Sequence, residues 1–371
     1  MPSVSAPDCA IAIIGAGVVG CAIAWSLAER GCGPIYVLEA EAGEGRGISS
    51  RNSQVVHAGL YYSPGSRKAL SCVEGMRALW RWVAERGVAH RRTGKLVVAT
   101  RSELEGQLEV LADNAGRSGA VVEAISLARA RELEPHLPST ITAALWSPWS
   151  GIVDAHGLVR SLIVAAEGTG RAELLCSTRV DRVEAVRGGF RLQTSRGPLV
   201  AERLINAAGF GAPALARELG IERTLYPARG DYFRLRRHPA WGRLIYPVKE
   251  PGSPSLGVHL TLELDGRCRL GPDLEWLDPD APIDYDPARG EAKAAAFLGA
   301  ARRLLGPEHV DDDALVYDGC GVRPKLVGPG EPLADFEILE SPAGAWHLLG
   351  IESPGLTAAL ALAREVAEAT L

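Results

Sequence analysis

The pattern of apolar and polar residues over the first forty positions predicts a strand, a glycine-rich turn, a helix and a second strand. Residues 11–14 form an apolar run of strand length, and residues 15–20 are rich in glycine. Residues 18–30 carry apolar side chains at helical spacing, and residues 35–38 form a second apolar run that closes at Glu39. This order is typical of a βαβ unit with two parallel strands.

Over the rest of the chain, the spacing of apolar residues is helical in some segments and alternating in others. The expected helices, each with apolar residues on one face, cover residues 66–86, 102–118, 126–137, 156–168, 288–305 and 356–370. The expected strands cover residues 95–100, 180–186, 189–194, 198–203, 203–208, 232–236, 244–247, 257–264, 268–271, 316–321 and 346–350. A βαβ start, a β-rich middle and a βα finish predict an α/β domain interrupted by a β-rich α+β domain.

The composition is that of a folded protein. Of 371 residues, 47% are hydrophobic and 23% are charged, which excludes a disordered chain, and the length predicts two domains. The formal net charge of −5 argues against nucleic-acid binding, because such surfaces carry an excess of basic residues. We expect no transmembrane segment, since no apolar run reaches roughly 20 residues and no signal peptide precedes the first strand. Peripheral membrane contact stays open.

The cysteines and glycines give further information about the kind of protein and its compartment. Seven cysteines are scattered without a CxxC pair, which excludes a zinc or disulfide framework. We therefore expect no metal site, reduced thiols and a cytoplasmic protein. Forty-two glycines exceed the usual share of about 7%, which indicates backbone lying close to another group, commonly a phosphate.

The first glycine-rich segment has the spacing of a dinucleotide-binding turn. Gly15 allows the tight turn, Gly17 lets the backbone approach a pyrophosphate, and Gly20 lets helix and strand pack closely. The N-terminus of the helix offers N–H groups to the phosphates. Glu39, nineteen residues after Gly20, can accept both ribose hydroxyls and disfavours the 2′-phosphate of NADP. Strand, glycines, helix and acid together predict a Rossmann-like dinucleotide site.

A second glycine-rich segment, residues 350–357, lies between a predicted strand and the last predicted helix. No second GxGxxG occurs that would hold a separate nicotinamide, whereas FAD is long enough to reach both segments of such a fold. The alternative for Gly355 and Thr357 is an ordinary helix start without a ligand. The two segments together favour FAD.

Nine blocks of sequence, spread from end to end of the chain, carry a family resemblance. They are GAGVVG (15–20), SSRNSQVVHAGLYYSPGSRKALSCVEG (49–75), GKLVVAT (94–100), DAHGLV (154–159), LINAAG (204–209), YPV (246–248), LGVHLTLELDGRCRLGPD (256–273), GVRPKL (321–326) and SPGLTAALA (353–361). On these blocks the chain resembles flavoproteins of the D-amino-acid oxidase/glycine oxidase superfamily, and within it the L-2-hydroxyglutarate dehydrogenase/oxidase branch. The chain is shorter than well-known members of that branch between residues 272 and 315, a region that shapes substrate access.

The resemblance implies non-covalent FAD and a discontinuous FAD-binding domain. That domain would comprise residues 1–88, 146–224 and 320–371, and a substrate-binding domain would comprise residues 89–145 and 225–319. The residues expected to contact the cofactor are Gly15, Ala16, Gly17, Val18, Val19, Gly20, Glu39, Ala40, Ser50, Arg51, Asn52, Ser53, His57, Ala58, Gly59, Val180, Ala207, Ala208, Gly209, Gly321, Arg323, Pro354, Gly355, Leu356 and Thr357.

Two histidines lie inside the family-like blocks. Oxidation of a 2-hydroxy acid, which the resemblance implies, moves a hydride to flavin N5 while a base takes the hydroxyl proton. Histidine suits that base because its ordinary pKa of about 6.5 lies near working pH. For His57 the alternatives are a catalytic or flavin-contacting role, covalent attachment of FAD, and a structural hydrogen bond. His259 falls where the sarcosine-oxidase branch has a lysine over the flavin; the alternatives are a base and a core histidine.

Arg323, in the block GVRPKL, is the expected anchor for a substrate carboxylate, with a catalytic part in orienting it. A guanidinium binds a carboxylate through two parallel hydrogen bonds, and D-amino-acid oxidase relatives use an arginine in a similar segment. The alternative is a surface or interdomain salt bridge. Lys325, Tyr246 and Tyr61 are further substrate-binding candidates. Cys320 is expected to be a buried thiol rather than a site of flavin attachment.

These observations together predict an FAD-dependent oxidoreductase that acts on a small carboxylate, an L-2-hydroxy acid such as L-2-hydroxyglutarate. The first alternative keeps FAD but oxidises an amino acid or a secondary amine. The second, from another class, is a flavin-binding regulator without turnover. The electron acceptor stays open between oxygen, a quinone and a carrier protein.

Overall fold

The computed structural model describes residues 7–253 and 255–371. The helices are α1 Val18–Glu29, α2 Arg67–Arg86, α3 Glu105–Arg117, α4 Leu127–Leu133, α5 Ala155–Glu167, α6 Ala212–Arg217, α7 Pro287–Glu291, α8 Ala294–Leu305 and α9 Gly355–Thr370. The first ten strands are β1 Cys9–Ile14, β2 Ile35–Leu38, β3 Val55–Val56, β4 His90–Arg91, β5 Lys95–Ala99, β6 Glu123–Ile125, β7 Ala143–Ser147, β8 Gly151–Val153, β9 Ala172–Leu175 and β10 Val180–Val186. The next ten are β11 Gly189–Thr194, β12 Gly197–Asn206, β13 Tyr226–Leu235, β14 Leu244–Pro247, β15 Leu260–Leu262, β16 Cys268–Leu270, β17 Glu275–Trp276, β18 Leu315–Lys325, β19 Glu337–Glu340 and β20 Ala345–Leu349.

The first sheet has a parallel centre in the order β20-β12-β1-β2-β9, with β10 and β11 as an antiparallel extension and β19 beside β20. Strand β12 is a single strand, whereas two separate strands meeting at residue 203 were expected. Its first half pairs with β11 and its second half with β20, so one strand serves both the meander and the parallel centre. This arrangement confirms the Rossmann-like α/β class.

Helices α1, α2, α5 and α9 share one apolar core with the parallel strands. The helix α1 is apolar all round, which suits its burial between the sheet, α5 and α9. Helix α2 crosses α9 at Gly75, where a Cβ would come 2.7 Å from Ala358 Cα. Glycine at this crossing therefore lets the N-terminal part of α9 lie directly against α2.

The second sheet runs β17-β13-β16-β15-β14-β5-β7-β6, with β18 also paired to β13. The sequence predicted that a strand ends at residue 321, just before Arg323. Strand β18 instead continues through Pro324, so Arg323 lies within the strand. Its register pairs Arg323 with Ala228 of β13. Strand β18 spans the predicted domain boundary at residue 320, and β7 spans that at residue 146. The division into two domains stays a prediction.

Three predicted helices differ in length for tertiary reasons. The helix expected over residues 126–137 ends at Leu133, because Glu134 is extended and its carboxylate accepts two backbone N–H groups near Gly242. The helix expected over residues 288–305 is broken at Lys293, whose ammonium contacts three carboxylates. The helix expected from residue 102 begins with a 3₁₀ turn before α3.

Over the described ranges, no helix is both long enough and apolar enough to span a membrane. Within the same ranges, no group of three or more potential metal ligands is present. All seven cysteines are free.

Candidate active site

A continuous cavity of about 1140 Å3 connects the carboxyl ends of β1 and β2 with the N-terminus of α9 and with strands β14 and β18. Both glycine-rich segments line the cavity. His57, His259 and Arg323 line the same cavity. Residues that are far apart in sequence therefore meet around a single elongated space.

The turn after β1 is tightly packed on the side that faces the protein interior, and its other side lines the cavity. Gly15 has a φ of +99°, which a side chain disfavours, and a Cβ there would lie 2.6 Å from the Ala207 carbonyl oxygen. A Cβ on Gly20 would collide with the Gly15 carbonyl oxygen, so α1 can approach β1 this closely only with glycine. A Cβ on Gly17 would instead have Ser49 Oγ, at 3.2 Å, as its nearest neighbour. The three glycines therefore have the different surroundings that the sequence motif predicts.

Glu39 directly follows β2 and lines the cavity. Its carboxylate is held by two backbone N–H groups, from Ala16 at 2.8 Å and from Glu41 at 2.9 Å. These bonds fix the carboxylate beside the glycine-rich turn. Its contact with ribose hydroxyls stays a prediction.

Most residues expected to contact the cofactor do line the cavity: Gly15, Gly17, Val18, Val19, Gly20, Glu39, Ala40, Arg51, Asn52, Ser53, His57, Val180, Ala207, Ala208, Gly209, Gly321, Arg323, Pro354, Gly355, Leu356 and Thr357. Ala16, Ser50, Ala58 and Gly59 do not. Ala16 is wholly buried beneath the turn, and the Ser50 hydroxyl donates to carbonyl groups of its own loop. Ala58 and Gly59 face the α2 packing layer, where a Cβ on Gly59 would meet Val73.

His57 lies beside the N-terminus of α9. Its backbone N–H donates to Thr357 Oγ1 at 3.0 Å, and its Nε2 lies 3.5 Å from Ser353 Oγ. Its Nδ1 is buried and has no hydrogen-bond partner among the described residues. Burial, and after it the charge of Lys95, lowers the pKa of His57 well below its ordinary value. The ring is therefore neutral at neutral pH and able to accept a proton.

His259 packs against Tyr246, with ring centroids 3.8 Å apart and planes 25° apart. Its Nδ1 lies 2.9 Å from the Gly257 carbonyl oxygen, so Nδ1 carries the hydrogen and Nε2 is left as the acceptor. Burial lowers the pKa of His259 to about 3, with further contributions from Lys95 and Arg323. The structure thus gives two neutral imidazoles on one cavity.

The two cationic candidates of the GVRPKL block differ in their partners. Arg323 is half-buried and makes no salt bridge or side-chain hydrogen bond within the described chain. Lys325 instead donates to both oxygens of Glu352, at 3.0 and 2.8 Å, and Lys68 donates to the same carboxylate at 2.9 Å. Arg323 therefore retains a free guanidinium for an anion, whereas Lys325 already shares the Glu352 carboxylate with Lys68.

The phenolic groups of Tyr61 and Tyr246 add polar atoms to the same wall. Both hydroxyls are buried without a hydrogen-bond partner among the residues described. Burial raises the pKa of both, so they are protonated and can donate to a bound ligand. Cys320 is buried and does not line the cavity, as its interpretation as a plain thiol requires.

Sequence reasoning missed three residues around this cavity. Ser49 Oγ accepts a hydrogen bond from the Val18 N–H at the start of α1. Glu352 joins Lys68 to Lys325, and Lys95 is wholly buried behind Tyr246. Lys95 had a visible signal, because it is a charged residue at the head of the apolar run KLVVA. The other two depend on contacts between distant segments.

The sequence model of the DAO family, described as FAD-dependent oxidoreductases, matches residues 10–369 of this chain. The chain belongs to this family. The chain is also similar to L-2-hydroxyglutarate dehydrogenases from several organisms. It is 35% identical to the mitochondrial L-2-hydroxyglutarate dehydrogenase of Arabidopsis thaliana over 403 residues, which cover 96% of this chain and 82% of that protein. It is 28% identical to the L-2-hydroxyglutarate dehydrogenase of Indibacter alkaliphilus over 397 residues, covering 97% and 98%.

The fold of this oxidoreductase is similar to that of L-α-glycerophosphate oxidase from Mycoplasma pneumoniae, solved with FAD bound. The TM-score is 0.83 at 23% identity, over 98% of this chain and 94% of that one. Such a likeness supports the FAD-binding fold and leaves the substrate to other observations.

The residues of the cavity fit FAD. The side of the turn at Gly17 lines the cavity and leaves room for a pyrophosphate, and the Glu39 carboxylate, held beside that turn by the Ala16 N–H, lines the same cavity. The N-terminus of α9 lines the cavity at Gly355, and the backbone N–H of His57 donates to Thr357 Oγ1 in the same helix turn. The protein is thus an FAD enzyme whose cofactor would be held by both glycine-rich segments.

Proposed function

We propose that this oxidoreductase oxidises a small L-2-hydroxy acid, with L-2-hydroxyglutarate or a close analogue as its substrate. The names of the Arabidopsis and Indibacter relatives support this substrate class, and they match nearly the whole chain. The group that the enzyme oxidises is then a CH–OH group of the substrate.

The observation that carries the proposal is one unpaired guanidinium beside two neutral imidazoles. Arg323, His57 and His259 line the same cavity, and the charge of Arg323 acts on His259. A hydroxyl group must lose its proton to a base during oxidation, whereas an amine can enter already unprotonated. A site with neutral histidines therefore suits an alcohol carrying a carboxylate.

Each residue then has a definite part. FAD, when bound, accepts the hydride and supplies the redox chemistry. Arg323 binds the substrate carboxylate through two hydrogen bonds. His57 or His259 takes the hydroxyl proton on an unprotonated ring nitrogen, and the Tyr61 and Tyr246 hydroxyls donate hydrogen bonds that orient the substrate.

We also propose that FAD is bound without a covalent bond and that the protein works in the cytoplasm. The free cysteines support a reducing compartment. The buried Cys320, away from the cavity, supports non-covalent binding. Yellow colour that stays in the pellet after acid precipitation would contradict non-covalent binding of FAD.

The deciding experiment is anaerobic mixing of the purified holoenzyme with a panel of 2-hydroxy acids and amino acids while the oxidised-flavin absorbance is followed. We expect bleaching with L-2-hydroxyglutarate and not with its D enantiomer. Bleaching by an amino acid or a secondary amine alone would point to an amine oxidase. A bound flavin that no compound bleaches would point to a regulator. Reoxidation of the reduced enzyme with oxygen, or with a soluble quinone, identifies the acceptor.

A further inference from the structure

Gly230 lies in β13, directly behind the wall of the cavity. It is buried and does not line the cavity itself. A Cβ at this position would lie 2.6 Å from Pro272 Cβ, 2.8 Å from Arg323 Nη2 and 3.1 Å from the Asp273 carbonyl oxygen. All three of these neighbouring residues line the cavity. The space that a side chain would need is therefore filled by groups of the cavity wall.

Space, rather than backbone conformation, makes glycine necessary at this position. Gly230 does not have a positive φ, and it pairs in regular register with β18. Any residue could adopt this backbone, so only the close approach of neighbouring atoms excludes a side chain. Two of those atoms are nearer than the 3.5–4.0 Å at which carbon atoms ordinarily pack.

Strand pairing explains why the guanidinium of Arg323 lies over this glycine. Gly230 is directly opposite Gly321, and Arg323, two residues further along β18, projects to the same face as Gly321. Gly230 and Arg323 are thus diagonal neighbours, a separation that a long side chain can bridge. A Cβ on Gly321 would collide with the Arg51 carbonyl oxygen, so the space above Gly321 is already filled. The Arg323 guanidinium extends across β13 instead.

The acidic residue of this wall is bound elsewhere and does not neutralise Arg323. The Asp273 carboxylate accepts a hydrogen bond of 2.7 Å from the Asp231 N–H, and its other oxygen lies 2.8 Å from Lys293 Nζ. Arg323 forms no salt bridge within the described part of the chain. Its guanidinium, lying over Gly230, therefore keeps its N–H donors for a bound anion.

We propose that Gly230 is a positioning residue for Arg323 and thereby fixes where the substrate carboxylate binds. The lack of a side chain at position 230 lets the guanidinium lie close against β13, beside Pro272 and Asp273. With a Cβ present, Arg323 Nη2 must move away by roughly 0.7 Å to reach an ordinary contact distance of about 3.5 Å. This inference rests on the proposed function, because it takes Arg323 as the group that binds the carboxylate.

The first test measures binding of glutarate, a dicarboxylate without the hydroxyl group, to the holoenzyme through the change it causes in the flavin absorbance. Gly230→Ala should keep FAD and raise the Kd of glutarate by about tenfold, because a shift of this size misplaces the guanidinium. Gly116→Ala adds the same methyl group at an exposed position of α3 outside the cavity, and its Kd should equal that of the wild type. An unchanged Kd in folded Gly230→Ala, or no glutarate binding by the wild type, would overturn the proposal.

The double variant Gly230→Ala/Arg323→Ala separates an effect through the guanidinium from one through Pro272. Once Arg323 is truncated, the methyl group at position 230 has no guanidinium to displace. Gly230→Ala should therefore lower kcat/KM by about tenfold in the wild type and by less than about twofold in Arg323→Ala. A loss of the same size in both backgrounds would show that the methyl group acts through the Pro272 segment, which contradicts the proposal.

If Gly230→Ala does not fold, a crystal structure of the wild-type holoenzyme with glutarate decides. It should show a carboxylate on Arg323 with the guanidinium still in contact with Gly230. A guanidinium that leaves Gly230 when glutarate binds would contradict the proposal. The glutarate measurements need no turnover. If glutarate binds as expected while no 2-hydroxy acid bleaches the flavin, that result counts against the proposed function alone.

Discussion

The hydroxyl of Thr357 accepts a hydrogen bond of 3.0 Å from the backbone N–H of His57, across 300 residues of sequence. Thr357 is wholly buried in the first turn of α9. Its Oγ1 also lies 3.5 Å from the Val55 carbonyl oxygen. One side chain therefore ties the loop that carries His57 to the N-terminus of α9, which lines the cavity.

We predict that Thr357→Val loosens this connection while preserving the shape of the side chain. The His57 N–H loses its acceptor, and an unsatisfied donor in such a site costs about 1–3 kcal/mol. Urea unfolding of the holoenzyme should show a loss of that size, together with faster release of FAD. Thr357→Ser, which retains the hydroxyl, is the control and should lie much closer to the wild type. Equal stability of the valine and serine variants would show that the hydrogen bond has no net effect.

A second prediction concerns the glycine-rich turn. Gly17→Glu should fold but purify without FAD, because its side chain extends into the cavity and brings a negative charge to the place of the pyrophosphate. Absorbance of the purified protein and its circular dichroism measure the two outcomes separately. Gly106→Glu is the matched control and should keep FAD, because Gly106 is exposed, lies outside the cavity, and a Cβ there would meet nothing within 4 Å. A Gly17→Glu protein that still carries stoichiometric FAD would remove this turn from the cofactor site.

The nucleotide end of the site could be predicted because its determinants are local. The turn, the helix start and the acid at Glu39 all fall within thirty residues, and each follows from a residue's own backbone or its spacing. The bounds of α1 and β2 accordingly lie within one residue of the expected ones.

The substrate end could be predicted only in part, because it depends on pairing between distant strands. The pattern ended a strand at residue 321, yet pairing with β13 carries β18 on through Pro324 to Lys325. Likewise, nothing near Lys325 in the sequence shows that Glu352 neutralises it. Tertiary contacts decided which of two neighbouring cations stays free for a substrate.

A third prediction concerns Glu352, whose carboxylate lies between the ammonium groups of Lys68 and Lys325 and is 9% exposed. Burial would raise the pKa of this carboxyl, but the two lysines outweigh it and lower the pKa. Glu352→Gln leaves two buried cations without an anion, so we expect it to lose about 3 kcal/mol or more of unfolding free energy at pH 7. The control is Glu132→Gln, which removes the carboxylate of an exposed ion pair with Arg129 and should change the unfolding free energy by less than about 1 kcal/mol.

The pH dependence of stability provides an independent check on Glu352. Because its folded pKa is below the unfolded value of about 4.3, its contribution is complete above that pH and is lost as the pH falls through the folded pKa. Urea unfolding from pH 7 down to about pH 2.5 should therefore show, below about pH 4.3, a smaller loss of unfolding free energy in Glu352→Gln than in the wild type. If the unfolding free energies of the two proteins fell equally as the pH is lowered, the ion pairs of Glu352 with its two lysines would not stabilise the folded state.

The last prediction concerns Arg323, which lines the cavity and has no salt-bridge partner among the described residues. Pairing of β18 with β13 and the following Pro324 fix its backbone, so its guanidinium emerges at a defined place. Arg323→Ala should keep the fold and FAD yet lose roughly 100-fold or more in kcat/KM, since each tenfold corresponds to about 1.4 kcal/mol of lost binding in the transition state. Arg323→Lys should recover little, because an ammonium cannot form two parallel hydrogen bonds. Arg237→Ala, at an exposed arginine outside the cavity, is the control and should retain wild-type kcat/KM. Near-normal efficiency of Arg323→Ala would move the carboxylate site to Lys249, the exposed lysine at the cavity wall, because Glu352 already holds Lys325.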